Sequence, residues 1–199
     1  LLATADLVAA EDTRHSGRLL QQVGLDVPLI AVHDHNEGER VPGLIARLLA
    51  GESLALISDA GTPLISDPGY RLISAAHDAG VRVSPVPGPC AAIAALSAAG
   101  LASDRFHFEG FLPSRQGPRK SRLQALAESP HTLIFYEAPH RIVETLADMR
   151  EVLGGDRVAV LEPGIADRVL GHACPVRDLA RDEGGVHAAL LDGQQQVLA

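Results

Sequence analysis

Four short polar segments contain residues that could do chemistry: "EDTRH" (11–15), "HDHNE" (33–37), "SDAGTP" (58–63) and "PGPCA" (87–91). Each follows a predicted strand. In open α/β sheets, ligands bind beyond the carboxyl ends of the strands, so these segments are expected to share one edge. They hold carboxylates, imidazoles and glycine turns with open backbone N–H groups. Together they predict a groove for a small molecule.

The two glycine turns do not match a nucleotide-binding loop. The patterns G-x-x-x-x-G-K-[ST] and G-x-G-x-x-G occur nowhere in the chain. Gly61 would let the backbone approach a ligand, and "PGPCA" adds small side chains. Thr62-Pro63 and Asp67-Pro68 are each predicted as a helix N-cap followed by proline at the first helical position. Each turn alone could be structural, but the pair favours a flat or bent small molecule over a triphosphate.

The charged residues of the first two segments are site candidates. Asp12 or Thr13 is expected to cap a helix, which leaves Glu11 and Arg14 without a structural role. His33 and His35 fall on one face of an extended segment and could chelate a metal. No third ligand is fixed by spacing, so contact with a substrate is favoured over metal ligation.

Composition and charge limit the function classes. The 199 residues are 46% hydrophobic with a net charge of −8, which argues against a nonspecific nucleic-acid coat. Two cysteines fit a reducing compartment, and no apolar stretch is long enough for a membrane span. The segment 113–122, "PSRQGPRKSR", carries four basic residues and no acid. It could contact phosphate at one place, or it could be a solvated loop.

Up to residue 100, hydrophobic periodicity predicts strands alternating with helices, and therefore a mostly parallel sheet with right-handed crossovers. The second half of the chain is again predicted to be α/β. The predictions include a helix over 41–52 with Pro42 near its first turn and a strand over 81–86. The stretch 105–122 breaks the alternation, and its basic half is predicted to be a linker or mobile loop. A domain boundary is placed there, near residue 110. Beyond it, "HRIVETLADMREVLG" is a helix whose apolar face contains Ile142, Leu146, Met149 and Leu153.

Six motifs occur in an order that resembles the bacterial 16S rRNA (cytidine-2′-O)-methyltransferase family: "DLVAAEDTRHSGRLL", "HDHNE", "LISDAGTPLISDPGY", "PVPGPCAAIAALSAAGL", "DRFHFEGFLP" and "LIFYEAPHRI". The resemblance covers roughly residues 3–160. It implies the tetrapyrrole-methylase fold, with two α/β domains (1–110 and 111–199), S-adenosylmethionine in the cleft between them, and a homodimer. It also implies 2′-O-methylation of a cytidine in the decoding region of 16S rRNA, in the cytoplasm.

The resemblance also implies roles for individual residues. The cofactor-binding set comprises the "DAGTP" loop, the "PGPCA" turn and residues of the second domain: Ala60, Gly61, Thr62, Pro63, Ile65, Cys90, Ala91, Tyr136, Glu137 and Ala188. The second turn, "SDPG", would hold the first in place. The candidate catalytic residues are Glu11, Arg14 and Glu109, with Glu11 as the first candidate general base and Glu109 as the second. Contacts with RNA are expected from Arg14 and from His33, His35, Asn36, Arg115, Arg119, Lys120 and Arg122.

Two features of the family pattern are absent from this sequence. The family has a strand and a "TPIGN"-like loop before the part that matches Leu1, so further residues are expected to precede it. The segment 163–175, "PGIADRVLGHACP", stands where the family has a "REL/ITK…E" stretch. Two alternatives therefore stay open: a tetrapyrrole methyltransferase on the same fold, and a non-catalytic paralogue that binds RNA.

Overall fold

A computed structural model describes residues 1–162 and the backbone of the strand segments 174–175 and 188–191. The described helices are α1 to α6 in chain order: Thr13–Gln22, Glu37–Leu49, Tyr70–Asp78, Ala91–Ala98, Gln116–Leu126 and Ile142–Leu153. The described strands are β1 to β8: Leu7–Ala10, Leu29–Ala31, Leu54–Ile57, Phe106–Phe111, Thr132–Tyr136, Val158–Glu162, Cys174–Pro175 and Ala188–Leu191. No helix of these described ranges is long and apolar enough to cross a membrane.

The chain divides into two compact units, Leu1–Pro89 and Cys90–Ala199. The division comes earlier than the boundary expected near residue 110. The reason lies in α4, whose buried Ala92, Ala95 and Leu96 pack in the same apolar cluster as Leu133 of β5. The helix after the "PGP" turn therefore belongs to the second unit.

Unit 1 contains a parallel sheet with the strand order β2-β1-β3. Its central strand, β1, is buried along its whole length and reads "LVAA", as expected for a parallel strand covered on both faces. The apolar core beside it is formed by residues from two strands' ends and two helices: Leu7, Ala9, Val32, Leu44 and Leu72. The alternation of strands and helices predicted for this part of the chain is confirmed over residues 7–57.

Unit 2 contains a mixed sheet with the order β4-β5-β8-β6-β7. Strands β4 and β5 are parallel, whereas β8 pairs antiparallel with both β5 and β6. The predicted apolar face of α6 is confirmed, since Ile142, Leu146 and Met149 are buried and Leu153 packs against the same cluster. The mostly parallel sheet expected for the first half of the chain is confirmed in unit 1. The second half was expected to be α/β, and it is, with a mixed sheet.

Three predictions in unit 1 are wrong in detail. Helix α2 begins at Glu37 rather than near Val41, so Pro42 lies inside it. Residues 81–86 do not form a strand. Thr62-Pro63 does not begin a helix, because Leu64 and Ser66 adopt left-handed backbone conformations. Asp67-Pro68 does not begin one either, because the non-helical Gly69 follows. The helix that follows, α3, begins instead at Tyr70 after Gly69, whose φ is 124°.

The predicted linker at 113–122 is mostly helix. Gln116–Leu126 forms α5, with Arg119, Leu123 and Leu126 buried against the rest of unit 2. The mean hydropathy of this segment is low because of its basic residues, which is why its sequence resembles a loop. Pairing of those residues with acids on neighbouring elements makes the helix possible.

Candidate functional site

The carboxyl ends of β1, β2 and β3 meet at one edge of the parallel sheet in unit 1. Three of the predicted polar segments begin within two residues of those strand ends, at Glu11, His33 and Ser58. The fourth segment follows no strand, but it is tied to the third. The Thr62 hydroxyl donates a hydrogen bond to the carbonyl of Pro89 over 2.7 Å. The structure therefore brings the "SDAGTP" and "PGP" turns together.

Carboxylates concentrate at this edge. Burial raises the pKa of Glu11 above its ordinary value, and the negative charges of Asp67, Asp59 and Asp34 raise it further, while His33 acts in the opposite direction. The pKa of Asp67 is raised by burial and by the charges of Asp59 and Asp34, although a hydrogen bond with Ser58 counteracts this. The negative charges of these carboxylates therefore repel one another, and a positively charged ligand would bind favourably at this edge.

The "DAGTP" turn presents small residues and backbone to solvent. Ala60 and Gly61 are exposed, and Ile65 is 38% exposed. Gly61 has a φ of 78°, and a Cβ added to it would lie 3.6 Å from the Pro89 carbonyl. The N–H of Ile65 donates to the carbonyl of Thr62 at 3.2 Å, which closes the turn around Pro63. A ligand can approach this backbone closely, as predicted from Gly61.

The "HDHNE" segment is a tight turn held by Asn36. The Asn36 amide oxygen accepts from the His33 backbone N–H at 2.9 Å, and its nitrogen donates to the Ala31 carbonyl at 3.1 Å. Asn36 is therefore a structural residue here, which corrects its expected role in RNA contact. His33 is half-buried, and its Nδ1 is buried with no hydrogen-bond partner within the described part of the chain. Such a nitrogen needs a partner from water or from a ligand.

The remaining charged candidates of unit 1 lie further out. His35 is exposed, and its ring centroid is 6.1 Å from that of His33. Arg14 is 86% exposed and forms an ion pair with Asp12, which also caps α1 through the Arg14 backbone N–H. Within residues 1–162 and the two short strand segments, no three His, Cys, Asp or Glu residues are placed to hold a metal ion.

In unit 2, several predicted cofactor residues also come together. The Tyr136 hydroxyl accepts from the backbone N–H of Ala92 at 3.1 Å, in the first turn of α4, next to Cys90 and Ala91. Ala188 on β8 is in register with Tyr136 of β5. The ring of Tyr136 also contacts Phe108 and Phe111 edge-on, with centroid distances of 5.0 and 5.6 Å.

Glu137 has a structural role instead of the predicted cofactor contact. Its side chain is buried, and one oxygen accepts from the Ala138 N–H and the Arg141 guanidinium. The other oxygen accepts from the Thr145 hydroxyl at 2.6 Å. Arg141 also donates to the Leu112 carbonyl, so the "YEAPHR" segment joins β5 to the start of α6. The carboxylate is therefore buried and engaged in holding this segment together.

Glu109, the second candidate base, is held as a carboxylate. Hydrogen bonds from Arg122, one of them 2.7 Å long, and a contact with His107 at 3.1 Å hold its pKa below the ordinary value, although burial opposes the shift. A carboxylate stabilised in this way is a weak proton acceptor. The structure therefore favours Glu11 over Glu109 as the general base. Arg122, which was expected to contact RNA, forms an ion pair with Glu109.

The basic segment is largely neutralised within unit 2. Arg119 is buried and forms a 2.6 Å ion pair with Asp148, which is buried as well. Lys120 pairs with Glu151 at 2.7 Å. Arg115, at the N-cap of α5, is exposed. The prediction that all four cations contact RNA phosphate is therefore wrong for Arg119, which cannot reach solvent, and Arg115 is the one most available.

Sequence analysis missed the acidic surroundings of Glu11. Asp34, Asp59 and Asp67 were not among the expected site residues, although Asp34 and Asp59 belong to the polar segments at the strand ends. The available signal was the repeated Ser-Asp dipeptide at 58–59 and 66–67. Ser58 of the first copy lowers the pKa of Asp67 of the second, against the effect of burial.

The chain belongs to the Tetrapyrrole (Corrin/Porphyrin) Methylases family, whose model matches residues 1–164. Solved structures of low identity share its fold. One is a diphthine synthase, with a TM-score of 0.68 at 18% identity, covering 96% of this chain and 81% of that one. Another is the methyltransferase CobJ, with a TM-score of 0.65 at 19% identity, covering 97% of this chain and 85% of that one. A uroporphyrin-III-C-methyltransferase from Thermus thermophilus has a TM-score of 0.60 at 21% identity, covering 96% of this chain and 84% of that one.

Other relatives have a much higher sequence identity to the chain. It is 65% identical over 161 residues to the Ribosomal RNA small subunit methyltransferase I of Pseudomonas aeruginosa, covering 81% of this chain and 57% of that protein. It is 58% identical over 159 residues to the protein of the same name from Haemophilus influenzae, with 80% and 56% covered. The chain therefore spans little more than half the length of these relatives.

Proposed function

We propose that the protein is an S-adenosylmethionine-dependent methyltransferase that modifies the RNA of the small ribosomal subunit. The observation that carries the proposal is the 65% identity over 161 residues to the Pseudomonas aeruginosa protein. The family model, which matches residues 1–164, includes every motif at the sheet edge of unit 1. Following the resemblance of the motifs, the acceptor is the ribose 2′-hydroxyl of a cytidine in 16S rRNA. The names of these relatives do not favour the alternative, which was a methyltransferase that acts on a tetrapyrrole.

The residues of unit 1 fit the proposed cofactor. S-adenosylmethionine supplies an electrophilic methyl group on a positively charged sulfonium. The exposed turn at Ala60 and Gly61 lacks bulky side chains and offers backbone polar groups, and Ile65 adds an apolar surface. The acidic set around Glu11 favours a cation and disfavours a neutral product. In unit 2, Cys90, Ala91 and Tyr136 are grouped by the Tyr136–Ala92 hydrogen bond.

The chain itself contributes to the reaction in two ways: it positions the two substrates, and it accepts the proton of the ribose hydroxyl. The new C–O bond forms as the C–S bond of the sulfonium breaks, S-adenosylhomocysteine leaves as a neutral thioether, and the ribose hydroxyl loses its proton. We assign that proton to the carboxylate of Glu11, which follows the central strand β1. Its raised pKa makes it a stronger base than an exposed glutamate. The half-buried ring of His33 and the exposed ring of His35 are the imidazoles of this edge that could contact the target nucleotide. Most of the rate would come from holding the two substrates in line.

The same proposal covers the partners and the compartment. An rRNA or small-subunit substrate supports a location in the cytoplasm. Arg115 and Arg14 are exposed cations that could contact phosphate, whereas the acidic edge would repel it. The resemblance supports a homodimer, which light scattering of the full-length protein would test.

Calorimetric titration of the full-length protein with S-adenosylmethionine tests the cofactor assignment. We expect saturable binding by the wild type and a loss of about tenfold or more in affinity for Gly61→Val, because a branched side chain is disfavoured at a φ of 78° and would cover the turn. Gly43→Val in α2, where a Cβ meets no atom within 4 Å, is the control and should bind normally. Absence of binding by the wild type would contradict the proposal.

A further inference from the structure

The loop between β3 and α3 contains two strained residues. Leu64 has a φ of 73° and Ser66 a φ of 62°, and no other residue with a Cβ has a positive φ in the part of the chain that the structure describes. The left-handed region is disfavoured for a bulky residue such as leucine because the Cβ crowds the backbone. Such a conformation persists only where neighbouring contacts hold it, and it is frequent at ligand sites.

Gly69 provides the space that holds Leu64. A Cβ added to Gly69 would lie 2.7 Å from Cδ2 of Leu56 and 3.1 Å from Cδ1 of Leu64. The side chain of Leu64 therefore lies directly on the bare backbone of Gly69, beside Leu56 of β3. Leu56 in turn packs against the apolar core of unit 1. This contact anchors the loop to the sheet.

The anchored residue lies inside the turn that faces solvent. Leu64 immediately precedes Ile65, whose N–H donates to Thr62 and whose side chain is exposed. Thr62 is fixed from the other side by its hydrogen bond to Pro89. Leu64 packs toward the sheet, the neighbouring Ile65 is exposed, and the Gly61–Ile65 backbone is fixed at Thr62 and at Leu64. The strain at Leu64 is thus coupled to the shape of the turn.

We propose that Leu64, seated on Gly69, is a positioning residue that preforms the Gly61–Ile65 turn for S-adenosylmethionine. The inference rests on the proposed function, since it names the device that shapes the proposed cofactor site. Leu64 itself touches no ligand in this account. Preformation lowers the ordering cost of binding, so loss of the anchor should weaken cofactor binding without altering the chemical step.

The test compares two identical truncations on the full-length protein. Leu64→Ala removes the anchor, and Leu54→Ala removes the same atoms from the amino end of β3, where Leu54 packs against the same core. Hydrogen exchange of the Ile65 amide is measured without cofactor, and KM and kcat are measured with small ribosomal subunits. We expect Leu64→Ala to speed Ile65 exchange and to raise KM for S-adenosylmethionine, each about tenfold, with kcat and the KM for subunits unchanged. Leu54→Ala should change neither the exchange rate of the Ile65 amide nor the KM for S-adenosylmethionine.

A second pair of variants tests the contact itself. Gly69→Ala should raise KM for S-adenosylmethionine because its methyl group meets Leu56 and Leu64, and adding Leu56→Ala should restore part of the loss. Unchanged exchange at Ile65 in Leu64→Ala would refute the anchor. Faster exchange with an unchanged KM would refute the positioning role. If the wild type neither binds S-adenosylmethionine nor transfers methyl groups, the proposed function fails and this inference fails with it.

Discussion

Glu11 combines the two properties expected of a catalytic base in unit 1. It follows the central strand of the sheet, and its pKa is raised by burial and by the carboxylates of Asp67, Asp59 and Asp34. A carboxylate in such surroundings is destabilised when it is ionised, so its ionised form lowers the free energy of unfolding. Together with its position after the central strand at the ligand-binding edge of the sheet, this favours a functional role for Glu11 over a packing role.

Glu11→Gln is expected to lower kcat by about 10²-fold or more, the usual effect of losing a general base. The wild-type rate should rise with pH through the raised pKa of Glu11, and the variant should lack this dependence. Ionisation of a group whose pKa is raised on folding opposes folding, so its contribution to stability is present at low pH and lost as pH rises through that pKa. The variant should therefore melt at pH 7 no earlier than the wild type.

Glu109→Gln is the matched control, because this carboxylate has a lowered pKa and an ion pair with Arg122. It should retain the pH dependence of kcat. A Glu11→Gln variant with wild-type kcat, or one whose activity is lost only through unfolding, would contradict the assignment of the base.

Arg119 and Arg115 belong to the same basic segment but have different roles. Arg119→Ala leaves the carboxylate of Asp148 buried without its ion pair, and we expect a loss of about 3–5 kcal/mol in the free energy of unfolding. Hydrogen bonds from Gln116 and Arg119 outweigh burial and lower the pKa of Asp148. The contribution of the pair should therefore be present at neutral pH and disappear as pH falls through that pKa. Denaturant unfolding at two pH values measures both.

Arg115→Ala is the comparison, since Arg115 is exposed at the N-cap of α5. Its free energy of unfolding should change by no more than about 0.5 kcal/mol, the usual range for surface sites. Its affinity for small subunits should fall, and the fall should be smaller at high salt. Equal destabilisation by the two substitutions would contradict the separation of roles.

At the scale of elements, helices in unit 1 are fixed by side chains from their neighbours. Glu37 is 4% exposed in the first turn of α2, and its carboxylate accepts from the backbone N–H of Leu72 in the first turn of α3 at 3.0 Å. A helix N-terminus leaves its first N–H groups without intrahelical partners, and negative charge there is favourable. One residue therefore joins α2 to the start of α3.

Glu37→Ala should lower the free energy of unfolding by about 1–3 kcal/mol, because the buried N–H of Leu72 loses its acceptor. Glu39→Ala, an exposed change on the same helix, should have little effect. Urea denaturation of the three proteins gives the comparison. A Glu37→Ala protein as stable as the Glu39→Ala protein would show that the hydrogen bond has no stabilising role.

Local patterns in the sequence predicted most elements but not the contacts between distant residues. Burial of β1 and the apolar face of α6 follow from residue types and spacing, and both are confirmed. The start of α2 depends on Glu37 meeting Leu72, and α5 depends on Arg119 meeting Asp148. Neither pairing has a local signature. The "VRVSPV" segment has the composition of a strand, yet it forms no ladder in unit 1.

The candidate site shows the same division. The sheet edge and the outward turn at Gly61 could be predicted, because strand ends and glycine turns are local features. The roles of Glu137 and Asn36 could not, since a carboxylate or an amide near a strand end serves a ligand or the backbone equally well. Their hydrogen bonds to Thr145 and Ala31 decide the matter in favour of the fold.

At the scale of the whole molecule, the chain holds two α/β units whose sequence matches little more than half of each relative. The proposed activity therefore belongs to the full-length protein. Its central requirement is that methyl groups pass from S-adenosylmethionine to ribose in the RNA of the small subunit. Binding of the cofactor alone does not distinguish this acceptor from a tetrapyrrole.

The most direct measurement is transfer of tritiated methyl from S-adenosylmethionine by the full-length protein to small ribosomal subunits from cells that lack the enzyme. The account predicts label in 16S rRNA that is recovered in a 2′-O-methylcytidine after digestion, with little transfer by Glu11→Gln. Label in a base, or cofactor binding with no transfer to rRNA, would contradict it.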